Sequence, residues 1–72
     1  MMINKFICKD TYDIDGMIVG RIGDVITIID AIPHDGESYK DVEGYCDIIN
    51  ETTGKVFGAT WIDVDDTILE IF

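Results

Sequence analysis

Apolar residues come in short runs broken by Asp and Gly, and no window sustains them at i, i+3, i+4 and i+7, the spacing of an amphipathic helix. The first run, Ile3–Lys9, ends in the polar segment Asp10–Gly16 (DTYDIDG), which reads as a long irregular loop. A second run extends from Met17 to Ile32 with Gly20 and Gly23 as punctuation. Pro33 closes it, and PHDGESYKD follows as a loop with a turn at Asp35-Gly36. A third strand, Tyr45–Asn50, leads into NETTGK, where Gly54 fits the left-handed position of a tight hairpin. The fourth strand is Lys55–Ile62. Asp63–Asp66 (DVDD) makes a polar turn of about one 3₁₀ turn, and Ile68–Phe72 is the last strand. With no repeat, linker or low-complexity segment, residues 1–72 read as one domain.

Strand phase adds a complication. Asp24, Ile26, Ile28 and Asp30 share one face of their strand, whereas Val25, Thr27, Ile29 and Ala31 share the other. A half-buried strand alternates apolar and polar, yet this one is apolar on both sides. We place Ile26 and Ile28 in the core with the two aspartates at its rims, so that Val25 and Ile29 need a loop or another chain against them. In the last strand, inward Leu69 and Ile71 leave Ile68 and Phe72 on the other side. Val25, Ile29, Ile68 and Phe72 are therefore the candidate oligomer interface, because a contiguous apolar patch, unlike a lone apolar residue, marks an interaction surface.

Composition points to the same class. There are 14 Ile and 5 Val against a single Leu, and with six Thr the β-branched residues number 25; such side chains suit the pleated strand. The acids are 11 Asp against 4 Glu, and Asp prefers turns and caps where Glu favours helices. An all-β chain follows. A domain this short buries only about 60% of the surface its unfolded chain exposes, so a staple would help. Cys8 and Cys46 offer one bridge at most, and the expectation is two reduced, buried thiols in a cytoplasm. The start MMINKFICKD breaks off too early for a secretory h-region, and no run approaches the roughly 20 apolar residues of a membrane span.

The order of elements is strand, long loop, strand, medium loop, strand, tight hairpin, strand, helical turn, short strand. It resembles that of a Src-homology-3-like small barrel, and Gly23–Ile29 (GDVITII) is similar to the strand after the first long loop in such domains. The resemblance runs from about Phe6 to Phe72 and implies a five-stranded barrel with one short 3₁₀ turn before the last strand. The chain also resembles small uncharacterised proteins of phages and mobile elements of low-GC bacteria. That likeness rests on Cys8, Asp10, Gly16, Val19, Gly20, Arg21, Val25, Tyr45, Ile48, Gly54 and the terminal ILEIF, while Gly23-Asp24 replaces the usual aromatic residue.

Motifs for specific chemistry are weak. Asp13-Ile14-Asp15-Gly16 looks like part of a calcium loop, but with Gly16 at position 6 the chelating Glu of position 12 is replaced by Ile22. No metal or cofactor is expected, and zinc lacks its paired ligand spacing, since His34 is the sole histidine. Asp63, Asp65 and Asp66 are adjacent in a turn, whereas carboxylate catalysis needs two groups facing one pocket with separated pKa values. Ser38, His34 and Asp35 crowd into five positions, too close for a triad drawn from separate elements. Tyr12, Tyr39, Tyr45 and Trp61 supply aromatic side chains for a proline-rich peptide groove, but the third strand opens without the Trp pair that the resemblance implies. No catalytic residue is assigned, and the chain is not expected to be an enzyme.

Charge changes the picture most. Fifteen acidic residues against five basic ones give a formal net charge of −10, beyond the magnitude of about 2–8 that suits a small soluble domain. Direct nucleic-acid binding is excluded for lack of clustered Lys and Arg. The functional expectation is a protein partner with a basic surface, met through Tyr12, Asp13, Asp15, Trp61, Asp63, Asp65 and Asp66, the carboxylates standing in for phosphates. A phage or mobile-element accessory protein acting against host defence or transcription in the host cytoplasm fits this expectation. The alternatives are a homo-oligomeric assembly protein and a counter-defence protein that sequesters a small ligand.

Overall fold

Alternating β-branched residues fold as the pattern predicts. The computed structural model describes residues 4–72, so Ile3 at the start of the first expected strand lies outside it. Seven strands form: β1 (Lys5–Cys8), β2 (Tyr12–Ile14), β3 (Met17–Gly20), β4 (Val25–Asp30), β5 (Tyr45–Asn50), β6 (Lys55–Thr60) and β7 (Leu69–Ile71), with a 3₁₀ turn at Trp61–Asp63 before the last. Five of them make an antiparallel sheet in the order β6-β5-β4-β1-β7, and β2–β3 is a separate hairpin. The all-β class and the 3₁₀ turn before the last strand hold. The closed five-stranded barrel does not: there are two sheets, and β6 and β7 are the edges of the larger one.

The difference originates at Asp15-Gly16. Both residues have positive φ, 51° and 85°, as a two-residue type I′ turn requires. That turn folds Tyr12–Gly20 back on itself as a hairpin, so the segment Asp10–Gly16 is not the irregular loop its polarity predicts. A break at Arg21–Asp24 then separates β3 from β4, where Gly23 has φ 89°. The chain thus builds a lid over one face of the sheet instead of one long bent strand that could close a barrel.

The core lies between this hairpin and the sheet. Ile26, Ile28 and Ile48 are at most 1% exposed, and Tyr12, Val19, Cys8, Cys46 and Leu69 surround them. Each such aliphatic side chain stabilises the fold by about 1.5–3 kcal/mol through burial. The phase chosen for β4 is therefore correct, with Val25 and Ile29 half-buried on the opposite face. Ile71 is a correction: it is 62% exposed although it shares the face of Leu69. It ends β7, an edge strand of the sheet with a neighbour on one side only. Both cysteines are buried and unbridged. Burial pushes both thiols above their ordinary pKa, and Asp24 adds to the effect at Cys8.

Asn50 holds the two layers together. It is 2% exposed, and its side chain uses all four of its hydrogen-bonding positions. The amide nitrogen donates to the Val19 carbonyl on β3 at 3.0 Å and to Asp24 Oδ2 at 2.9 Å, while Oδ1 accepts from the N–H groups of Thr52 and Thr53, each at 3.0 Å. One side chain thereby links the lid, the β3–β4 turn and the β5–β6 loop. The Asn50 amide, with the N–H of Arg21, holds the Asp24 carboxyl below its usual range. Gly20 permits the same close approach, since a Cβ there would stand 2.9 Å from Cys8 Sγ and 3.1 Å from Ile26 Cδ1.

Candidate functional site

The acidic residues that the sequence singles out come from two distant segments, the β2–β3 hairpin and the stretch from the 3₁₀ turn to β7. Tyr12 joins these segments. Its ring is 1% exposed and its hydroxyl donates to the Asp63 carbonyl at 2.6 Å. Burial pushes the phenol up to about 12, so it stays a neutral donor. Tyr12 is thus the floor of the site and not a contact residue as expected, because alternation along β2 turns it inward and Asp13 outward.

Above that floor lies an open groove of about 410 Å³ lined by Asp13 and Asp15 on one wall and Asp63, Asp65 and Asp66 on the other. Two of these carboxylates also shape the backbone. Asp63 Oδ2 accepts from the Thr60 hydroxyl at 2.9 Å and the Thr60 N–H at 3.2 Å, ending β6 and starting the 3₁₀ turn. Asp65 Oδ1 accepts from the Thr67 hydroxyl and, at 2.9 Å, its N–H, and these bonds lower the Asp65 pKa below the ordinary carboxylate value. Asp13, Asp15 and Asp66 are exposed. Among the described residues, no group of three or more His, Cys, Asp or Glu is placed to hold a metal ion. The groove is a concentration of negative charge open to solvent.

Ile62 is the residue that sequence reasoning missed. Read as the end of a strand, it instead lies within the 3₁₀ turn, 94% exposed on the groove wall. The signal was the Thr60…Asp63 spacing, an N-terminal capping pattern. Trp61 does not line the groove; it is 38% exposed and its indole N–H donates to Asp30 Oδ1 at 3.0 Å. The four aromatic residues do not form one peptide groove either: Tyr39 and Tyr45 border a cavity beside Val42 and Gly44, away from buried Tyr12. Ser38 Oγ donates to Asp41 at 3.1 Å. Of the four candidate interface residues, Val25, Ile29 and Phe72 fall on the outer sheet face by register, whereas Ile68 packs against the core.

No family model, curated protein or solved structure matches this chain. No helix among the described residues is long and apolar enough to cross a membrane.

Proposed function

We propose that this chain is a non-catalytic binding protein whose acidic groove occupies a basic, nucleic-acid-binding surface on another protein. The observation that carries this reading is the meeting of Asp13 and Asp15 with Asp63, Asp65 and Asp66 around one groove, with exposed Ile62 on its wall. Carboxylates spaced along a groove imitate a run of phosphates, and an apolar side chain among them gives a partner something to desolvate, as interface centres require. A role as a phage or mobile-element accessory protein acting on host defence or transcription rests on the sequence likeness. A Src-homology-3-like kinship is supported by the order β6-β5-β4-β1-β7, with a hairpin between β1 and β4 and a 3₁₀ turn before β7.

The test uses wild type and a variant carrying Asp13→Asn, Asp15→Asn and Asp66→Asn, three exposed carboxylates that accept no bond needed by the fold. Both are immobilised and exposed to host lysate at low and high salt, and retained proteins are assayed for DNA binding in the presence of the free chain. Wild type should retain nucleic-acid-binding proteins at low salt, release them at high salt and displace their DNA; the variant should do neither. Equal retention by the variant, or no loss of DNA binding, overturns the reading.

A further inference from the structure

We infer that a second site, at the end of the sheet where β4 leaves and β5 returns, binds a quaternary ammonium group. Tyr39, Tyr45, Asp30 and Glu43 line an open cavity of about 260 Å³ there. Asp30 ends β4 and Tyr45 begins β5, and the Ala31 N–H donates to the Tyr45 carbonyl at 3.1 Å, which keeps the two strand ends side by side. Trp61 adjoins the cavity from β6, since Tyr45 pairs with Thr60, the residue before it. Its backbone N–H donates to the Gly44 carbonyl at 3.2 Å and its indole N–H to Asp30 Oδ1 at 3.0 Å. Tyr39 comes from the β4–β5 connection, inside a turn closed from both ends. Asp41 Oδ2 accepts from the Ser38 N–H at 3.0 Å and the Ser38 hydroxyl at 3.1 Å, and the Asp41 N–H donates to the Ser38 carbonyl at 3.0 Å. Long connections without regular structure are uncommon in compact domains and tend to carry function.

The chemistry of these walls selects the occupant. Four aromatic side chains are exposed, Tyr39 by 81%, Tyr45 by 51%, Trp61 by 38% and Phe72 by 66%, and all but Phe72 gather at this cavity. An aromatic face is the negative pole of the ring's quadrupole and attracts a cation lying over it. Asp30 and Glu43 add full charges, and Lys40, the one lysine or arginine in the connection, does not line the cavity. Glu37, Asp41 and Asp47 border an adjoining cavity that shares Val42 and Tyr45, so an anion is repelled. A bare ammonium is compact and strongly hydrated, and an open cavity leaves it in water. Alkyl groups weaken that hydration and give the rings an apolar shell to cover. A guanidinium prefers a carboxylate with both oxygens free for paired bonds, whereas Asp30 Oδ1 already accepts from the indole. A quaternary ammonium has no N–H and needs only charge and ring faces. None of these residues lines the acidic groove, so this inference stands apart from the function proposed above.

Titration with choline at constant ionic strength, against a sodium chloride background, tests it. Binding is followed by the fluorescence of Trp61, the one tryptophan, and by the NMR shifts of the Tyr39 and Tyr45 ring protons. Choline should saturate, while methylguanidinium and the uncharged analogue with carbon in place of the ammonium nitrogen should bind about fivefold more weakly or worse. Tyr39 is 81% exposed, so its variants keep the fold, which circular dichroism checks. Tyr39→Leu, apolar but without a ring, should weaken choline by about threefold or more, and Tyr39→Phe should not. A short peptide carrying trimethyl-lysine separates the sources of the cation. If it binds more tightly than choline, the site takes a modified side chain; if less tightly, a free small molecule. The triple groove variant should bind choline as wild type does, so either reading can fail while the other stands. No saturable response to choline or the peptide, an equal response to methylguanidinium or the uncharged analogue, or undiminished binding by Tyr39→Leu overturns the inference.

Discussion

Replacing Asn50 should cost more than replacing any other polar residue in this chain. Asn50→Ala removes four hydrogen bonds at once, but they are not equal. The bond to Asp24 involves a charged partner and contributes about 1.5–3 kcal/mol, and the Val19 carbonyl, left without its donor beneath the lid, costs about 1–3 kcal/mol. The Thr52 and Thr53 amides lie in an exposed loop and regain water. The expected loss is about 2.5–6 kcal/mol, against a total on the order of 4–11 kcal/mol for a chain of 72 residues. At about 4–8 °C per kcal/mol for a domain of this size, the thermal midpoint falls by at least ~10 °C. Urea unfolding followed by far-ultraviolet circular dichroism measures it. The acid limb gives a second readout. The folded Asp24 carboxyl titrates below its ordinary 3.8, so its contribution is present above that value and lost as pH falls through the folded pKa; without Asn50 this limb is shallower. Asn50→Asp keeps the acceptor for Thr52 and Thr53 but sets a second carboxylate against Asp24, so its deficit should shrink as pH drops and one proton is shared. A loss below 1 kcal/mol in Asn50→Ala, or an unchanged acid limb, would refute the account of Asn50 as the tie between layers.

Gly20→Ala should lower stability by about 1–3 kcal/mol through overpacking against Cys8 and Ile26, read in the same urea experiment. One of the three tyrosines should resist titration until about pH 12. Since the folded phenol is raised above the ordinary 10.0, the stability it contributes is complete below pH 10 and is lost as pH rises toward 12; absorbance at alkaline pH shows this, and Tyr12→Phe abolishes the delayed step. Cys8 and Cys46 should react with a thiol reagent only at the rate of opening or unfolding, so denaturant accelerates labelling of both and their reactivity in the native state is uniformly low.

Legibility followed the range of the interactions involved. The phase of β4 is readable because Asp24 and Asp30 bracket Ile26 and Ile28, and β5 ends where the turn segment NETTGK begins. The β2–β3 hairpin escaped because three residues are too few for a period-2 signal, although Asp15-Gly16 between Ile14 and Met17 already specified its turn. Ile62 looked like strand because the apolar run continues past Thr60, and only the Asp63 carboxylate bonding back to Thr60 ends it. Open edges were not readable at all, since alternation says which way a side chain points and nothing of whether β6 and β7 meet. The acidic groove is half legible: its carboxylates stand out in the sequence, but a three-residue strand gives no alternation to show that the Tyr12 phenol turns inward beneath them.

The pairing of β1 with both β4 and β7 has a kinetic consequence. Phe6 meets Ile71 and Cys8 meets Leu69, contacts between opposite ends of the sequence, and chains dominated by such pairings fold in milliseconds to seconds. The local hairpins β2–β3 and β5–β6 can form early. During synthesis, however, one edge of β1, which itself carries apolar Phe6 and Ile7, stays unpaired until residue 71 has left the ribosome. An excess of carboxylates along the growing chain makes neighbouring nascent copies repel over that interval, so the net charge bears on folding itself.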